Sequence, residues 1–373
     1  MVKFKVNRDE FARIWNMVVR AVPGRTPREV LKYVHLRVLD GMLTLTAHDS
    51  RDGLTVSTTD CETGKHHLGE LLLPHERTSS IVKESDGAES LIISGNQNGV
   101  EPVEFTFGQS VFRLQAESAD NYPHVTTEMD RAVAVPAALL STAIARVMFA
   151  ADAKATNYVL SGVQFNNIGD RIELRATDQR VLAKSSVPMG EMPGVWPDRH
   201  PIVGLQVLKL VQVACREHDG DVTIHCDGSV IVFEAGNTTV FGRLLEGRFP
   251  SVDKIELKHT GGASVMVRDL AWLLRMASIT TERDSNAITL EFDAGEVRSR
   301  SSIDKLGSST NTRVNAYSGE PYSVVLDPQA AQRWLSVLPM EANVSLAWES
   351  SEDPVLFAYE SSSLVVAPKV AAT

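Results

Sequence analysis

Val163-Gln164-Phe165-Asn166-Asn167-Ile168-Gly169-Asp170-Arg171-Ile172-Glu173-Leu174-Arg175-Ala176-Thr177-Asp178 alternates through Val163 and Phe165, turns at Gly169-Asp170, and alternates again through Ile172, Leu174 and Ala176. That pattern spells a β-hairpin with one face turned to a core. About 130 residues upstream the same pattern reads Val34-His35-Leu36-Arg37-Val38-Leu39-Asp40-Gly41-Met42-Leu43-Thr44-Leu45-Thr46-Ala47-His48-Asp49. A fainter copy lies about 125 residues downstream, from Ile288 through Ala294-Gly295 to Arg300, with Asp304 near the place of Asp49 and Asp178.

The flanks repeat as well. Upstream of each hairpin runs a helical stripe: Phe11, Ile14, Trp15, Val18 and Val22; then Leu139, Leu140, Ala143, Ile144 and Val147; then Leu270, Leu273, Leu274 and Ala277. A second helical stretch follows each, weak at Pro74 to Glu84, strong at Leu205 to Cys215, and clear at Asp327 to Leu338. More strands close each unit, at Asn121-Tyr122-Pro123 in the first and Arg248-Phe249-Pro250 in the second. Helix, hairpin, strands, helix, strands is an α+β order, and so long a period marks duplicated domains rather than a solenoid. The spacing predicts three domains, 1–129, 130–257 and 258–373, each large enough for its own core.

Of the 373 residues, 43% are apolar, yet no run has the length of a membrane span, and Met1 to Asp9 shows no apolar signal core. A soluble, cytoplasmic protein is expected. Cys61, Cys215 and Cys226 show no Cys-x-x-Cys spacing and read as reduced packing residues.

Catalytic motifs are missing: no Gly-rich phosphate loop, no His-Glu-x-x-His, no Gly-x-Ser-x-Gly. His66, His67 and His75 make a poor metal set, since adjacent residues on a strand point apart. His48-Asp49 resembles a catalytic pair, but the repeat puts Thr177-Asp178 in the same place, so both aspartates are expected to accept backbone N–H groups at a strand end. The net charge of −10 argues against simple nucleic-acid binding. Position qualifies that sum. Arg13 and Arg20, Lys209 and Arg216, and Arg268 and Arg275 each lie two turns apart on a non-core helix side, with Arg146 and Arg333 on the remaining helices. Such a face would hold a polyanion through its phosphates without reading bases.

Tyr158-Val159-Leu160-Ser161-Gly162-Val163, Ala176-Thr177-Asp178-Gln179-Arg180-Val181-Leu182-Ala183 and Glu246-Gly247-Arg248-Phe249-Pro250 resemble the middle domain of the bacterial DNA polymerase III β subunit, the sliding clamp. The likeness runs in order from the Gly24-Arg25-Thr26-Pro27 loop to Leu364-Val365-Val366-Ala367-Pro368. It implies three clamp domains per chain and a head-to-tail homodimer closed into a ring, helices lining the hole and antiparallel sheets outside. The implied function is tethering of the replicative polymerase to duplex DNA for processivity, without catalysis, cofactor or metal. The implied partners are double-stranded DNA bound without sequence preference, the polymerase III alpha subunit or another polymerase, the clamp loader, and other proteins carrying a clamp-binding motif. A nucleoid-associated cytoplasmic location follows, with no membrane role.

Carried over position by position, the family's peptide pocket comprises Leu160, Thr177, Gln179, Arg180, Val181, Leu182, Pro250, Lys254, Ile255, Val365, Val366, Ala367, Pro368 and Lys369. The resemblance assigns DNA contact to Arg25 and Tyr158, and to the helix residues Arg13, Arg20, Arg146, Lys209, Arg216, Arg275 and Arg333. It assigns the protomer boundary to Phe112, Leu114, Ile279 and Thr280. Four departures stand out. Gln179-Arg180-Val181 and Ala367-Pro368-Lys369-Val370 replace the usual turn and the usual methionine-rich ending, which predicts altered peptide preference or lower affinity. Asn157-Tyr158-Val159 keeps only the first Tyr of an Arg-Tyr-Tyr pattern, and Thr280 replaces a leucine, which predicts weaker ring closure. A clamp paralogue, phage-encoded or of the antibiotic-resistance type, would suit the altered ending. A β-rich enzyme or adaptor would need a convergent polar constellation that the sequence does not offer.

Overall fold

A computed structural model of the chain describes residues 1–64, 68–125, 132–190, 200–252, 260–281, 286–303 and 306–369, and in it the repeat becomes an order of elements. The first third runs β1 (Val2–Asn7), α1 (Arg8–Val18), β2 (Tyr33–Leu39), β3 (Met42–His48), β4 (Gly53–Thr58), β5 (Cys61–Thr63), β6 (Gly69–Pro74), α2 (His75–Glu84), β7 (Ser90–Gly95), β8 (Val103–Phe107) and β9 (Ser110–Leu114). The middle third runs β10 (Ala132–Pro136), α3 (Ala137–Val147), β11 (Gly162–Ile168), β12 (Arg171–Thr177), β13 (Val181–Pro188), β14 (Ile202–Gly204), α4 (Leu205–Arg216), β15 (Asp221–Cys226), β16 (Val230–Ala235) and β17 (Thr238–Arg243). The last third runs β18 (Gly261–Met266), α5 (Val267–Ala277), β19 (Ile288–Asp293), β20 (Glu296–Ile303), β21 (Gly307–Val314), β22 (Tyr322–Leu326), α6 (Pro328–Leu335), β23 (Asn343–Trp348), β24 (Val355–Tyr359) and β25 (Ser362–Val366).

The three hairpins close on two-residue turns, after Leu39↔Met42, Ile168↔Arg171 and Asp293↔Glu296. Gly41, Gly169 and Gly295 sit there at φ +78°, +65° and +81°, a region that side chains resist. Helix α1 starts where the Asn7 side-chain oxygen accepts the N–H groups of Asp9 at 2.9 Å and Glu10 at 3.1 Å. It buries Phe11, Ile14, Trp15 and Val18, and Trp15 Nε1 donates to Ser79 Oγ on α2 at 2.9 Å. Helix α6 is capped by Asp327, whose carboxylate accepts the Gln329 N–H at 3.0 Å, with Pro328 in the first turn. Two expected stripe residues differ. Val22 lies past the end of the 3₁₀ turn Val19–Ala21, and Leu139 is 46% exposed because it sits a rotation of about 100° from the Leu140, Ala143, Ile144, Val147 stripe.

Among the described residues the strands form four sheets, grouped with their helices in two units. One unit holds Met1–Ala138 and Gln206–Leu244; the other holds Leu139–Met189, His200–Leu205 and Leu245–Thr373, so the middle third contributes to both. The first unit has a five-stranded sheet, β5-β1-β7-β8-β9, and an eight-stranded one, β10-β15-β16-β17-β4-β3-β2-β6. Helix α1 packs on strands of both, which is why its apolar stripe is buried throughout. The second unit has an eight-stranded sheet, β14-β11-β12-β13-β25-β24-β23-β18, and a four-stranded one, β21-β20-β19-β22.

Each eight-stranded sheet is joined across repeats by one antiparallel pair. In the first unit β17 pairs with β4, from Thr238↔Val56 to Phe241↔Gly53. In the second β25 pairs with β13, from Val181↔Val366 to Ser185↔Ser362. Both joints follow one rule: the last strand of a repeat adds to the strand that follows the hairpin of the preceding repeat. The strands that hold these two roles without such a partner are β9 and β21, and each is the edge of its sheet.

Candidate functional site

The turn between β12 and β13 is set by Asp178. Its Oδ1 accepts the N–H groups of Arg180 at 2.8 Å and Val181 at 2.7 Å, while Thr177 Oγ1 donates to the Val181 carbonyl at 2.6 Å and accepts the Gln179 N–H at 3.0 Å. Gln179 is thereby held at φ +76°. The first repeat builds the same device: Asp49 Oδ1 accepts from Arg51 and Asp52, both at 2.8 Å, and Ser50 lies at φ +79°. His48 is part of it, its Nδ1 accepting the Ser50 N–H at 3.1 Å and its Nε2 donating to the Pro123 carbonyl at 2.9 Å, which fixes one neutral tautomer. Burial lowers the His48 pKa, consistent with that neutral form. The two aspartates are turn residues, as the repeat predicted. His75 Nδ1 bonds the Lys32 carbonyl at 2.7 Å, and His66 and His67 lie outside the described residues.

In the second unit this turn forms one wall of a cavity of about 550 Å³. The β13–β25 pairing carries the chain end past it: the Ala367 N–H donates to the Arg180 carbonyl at 2.9 Å, and the Lys369 N–H to the Val325 carbonyl at 2.8 Å. Arg180 and Val181 line the cavity from one side and Val366, Ala367, Pro368 and Lys369 from another. Helix α6 supplies its cap Asp327, Gln329 and Ala330 from its first turn and Arg333 from its last, and Phe149, Ala150, Asp178 and Ala287 complete the lining. Lys369 Nζ lies 3.1 Å from Asp327 Oδ2.

Six of the expected pocket residues are thus brought together on one cavity. Leu160, Leu182 and Val365 instead join Val159, Ile202, Phe249 and Val252 in a buried apolar cluster of the same unit. Thr177 is buried in the turn, Gln179 is exposed and Pro250 half-buried. Lys254 and Ile255 lie outside the described residues. The α6 contribution was missed from sequence. Its one signal was the Asp327-Pro328 cap, which marks a helix start but not what faces it.

The family described as the DNA polymerase III beta subunit, N-terminal domain, matches residues 2–126, and its central domain matches residues 134–251. The chain belongs to the DNA polymerase III beta subunit family. Its function is that of a sliding clamp, a processivity factor of DNA replication and not an enzyme. The beta sliding clamp of Chlamydia pneumoniae is 27% identical over 331 residues, covering 88% of this chain and 87% of that protein. A Staphylococcus epidermidis beta sliding clamp is 24% identical over 261 residues, covering 68% of each. The crystal structure of the Bacillus subtilis DNA polymerase sliding clamp superposes with a TM-score of 0.88 at 22% identity, covering 99% of both chains. A ligand-bound Pseudomonas aeruginosa sliding clamp gives 0.88 at 20% identity, covering 99% of this chain and 100% of that one. At those identities the structures speak for the fold alone.

The basic residues expected to face DNA in this clamp-family chain divide by environment. Arg20, Arg25, Lys209, Arg216 and Arg275 are exposed, and Tyr158 is 53% exposed at the start of a 3₁₀ turn. Arg13 is half-buried and paired with Glu10 at 2.7 Å and Glu217 at 3.3 Å. The hydrogen bond with Arg13 holds the Glu10 carboxyl below its usual range. Arg146, expected on a polar helix side, is only 7% exposed; its guanidinium lies 3.2 Å from Glu360 and over the Tyr359 ring. Arg333 is exposed, on the wall of the cavity.

At the sheet edges, Phe112 on β9 is 39% exposed and stacks on Phe107, with Leu114 half-buried beside it. Ile279, in the 3₁₀ turn after α5, is 68% exposed. The Thr280 hydroxyl bonds Ser301 Oγ at 2.7 Å and Ser309 Oγ at 2.9 Å, so its polar group is satisfied within its own repeat.

Proposed function

We propose that two copies of this chain close head to tail into a ring, β9 of each adding antiparallel to β21 of the other, and that the ring slides on duplex DNA. One observation carries it: the joint rule obeyed by β17–β4 and β25–β13 leaves β9 and β21 as the unmatched pair. Applied between copies, that rule makes a cycle of six repeats from two chains and removes both open edges. Domain limits near 129 and 257 give each repeat one such joint at either end. Phe112, Leu114, Ile279 and Thr280 then lie at the protomer boundary. Arg20, Arg25, Lys209, Arg216 and Arg275 supply weak phosphate contacts, Tyr158 a stacking surface, and a topological link replaces affinity. Helices lining the hole and sheets outside would separate this basic set from an acidic exterior, an arrangement compatible with the net charge of −10.

The cavity in the second unit serves as the docking site for linear peptides of the polymerase and other partners, apolar side chains seated against Val181, Val366 and Pro368. The test is a processivity assay on primed circular DNA with loader and polymerase, beside sedimentation velocity at micromolar concentration. Stimulation on circular or end-blocked DNA with loss on open linear DNA, from a dimer, is the expected result. A monomer, or stimulation that ignores free ends, would contradict it.

A further inference from the structure

Tyr122 lies in the segment by which the chain leaves the first repeat, just past the 3₁₀ turn Ala119–Asn121, and its buried ring is held by two buried histidines. His35 on β2 stacks on it with centroids 5.3 Å apart and planes 14° off parallel, and His48, the last residue of β3, meets it edge-on at 4.8 Å. His48 also lies beside the first joint, 6.2 Å from the Phe241 ring on β17. Both His48 nitrogens are committed. The Pro123 carbonyl can only accept, so Nε2 carries a hydrogen; the Ser50 N–H can only donate, so Nδ1 must offer a lone pair. A second proton on Nδ1 would set donor against donor. The second repeat builds the same turn without a titratable ring. At the places of His35 and His48 it has Gln164 and Thr177, and Thr177 Oγ1 takes the Gln179 N–H as Nδ1 takes that of Ser50. The counterpart of Tyr122 is Phe249, seated among Val159, Leu160, Leu182, Ile202, Val252 and Val365.

We propose that His48 is the trigger of an acid-sensitive latch: neutral, it fastens residues 119–124 to the first repeat; protonated, it loses the Ser50 bond, leaves its place, and the segment lifts. Its surroundings favour the neutral form. Burial is the largest influence and holds the His48 pKa below its ordinary 6.5; His35 and the exposed His124 push the same way, against the Pro123 carbonyl and Asp49. Asp49 is in any case occupied, its Oδ1 accepting the Arg51 and Asp52 N–H groups. His35 is also lowered by burial, but its Nε2 lies 3.0 Å from Glu70 Oε2, a carboxylate it shares with Arg37, so a charge on His35 has a partner and does not open the latch. The lifted segment leaves His48 with an ordinary pKa. Latch strength is therefore full above 6.5 and falls as pH drops below it.

Hydrogen exchange of the full chain, read by mass spectrometry and corrected for the intrinsic pH dependence of exchange, tests this without altering a residue. The reporters are the Ala119, Asn121 and Tyr122 amides, bonded to the Gln97, Ser118 and Ala119 carbonyls, together with that of Ser50. Between about pH 7.5 and 5.0 their opening should rise on the order of tenfold. The Gln179 and Leu245 amides, bonded to Thr177 Oγ1 and the Ile202 carbonyl in the second unit, should not respond. His48→Thr, which supplies the residue of the second repeat, should abolish the response, and His35→Gln should keep it. An equal response in both repeats, or none in either, would overturn the latch. So would a response that survives His48→Thr or disappears in His35→Gln.

Discussion

Asp178 and Asp49 show how one residue type fixes a turn twice. Each carboxylate takes two N–H groups that would otherwise point away from any strand partner, and each holds a non-glycine residue at positive φ. Asp178→Ala should cost about 1 to 2 kcal/mol in urea unfolding and release the cavity wall, while Asp178→Asn, which keeps an acceptor, should cost less. An alanine variant as stable as the parent would deny the turn this role. Asp52, next in the first device, has the opposite problem. Burial, with help from Asp49, raises its pKa from 3.8 to about 6. The folded state therefore holds a proton that the unfolded state gives up, and stability falls as pH rises through the window between those values. Asp52→Asn should raise the Tm at pH values above that window and lose the advantage below it; thermal scans at both ends decide, and a gain independent of pH would refute the assignment.

At the level of elements, the joints depend on close backbone approach. Gly53 on β4 lies opposite Phe241 on β17, and a Cβ there would meet the Phe241 ring at 2.4 Å and the Ala47 carbonyl at 2.8 Å. Backbone on one side and a buried ring on the other leave nowhere to move. Gly53→Ala should therefore destabilise the first unit by about 1 to 3 kcal/mol, seen as an earlier denaturant midpoint. A change to alanine that leaves the midpoint unmoved would show that the joint is looser than this packing implies. Arg146 makes a related point: placed on a helix by sequence, it is claimed by Glu360 at the end of β24, 214 residues away, so a helix-face pattern alone cannot assign it to DNA.

For the whole molecule, β9 and β21 are where assembly should fail first. Phe112→Glu puts a charge on an exposed edge while leaving the buried core intact, so sedimentation velocity should show a shift from dimer to monomer with little change in Tm. An unchanged dimer would move the boundary elsewhere. The sequence by itself determined the three-fold repeat, the hairpins with their two-residue turns, the helix stripes and the turn aspartates, because alternation, helical period, glycine at positive φ and side-chain capping are local and act over a few residues. Tertiary structure alone decided that β25 joins β13, bringing Ala367 against Arg180, that α6 turns Arg333 and Asp327 toward the chain end, and that Arg146 is buried. Those choices pair segments far apart in the chain. Many alternating strands can satisfy the same local pattern, so the partner is settled only when the edges that remain, their side chains and their charges must all be matched at once.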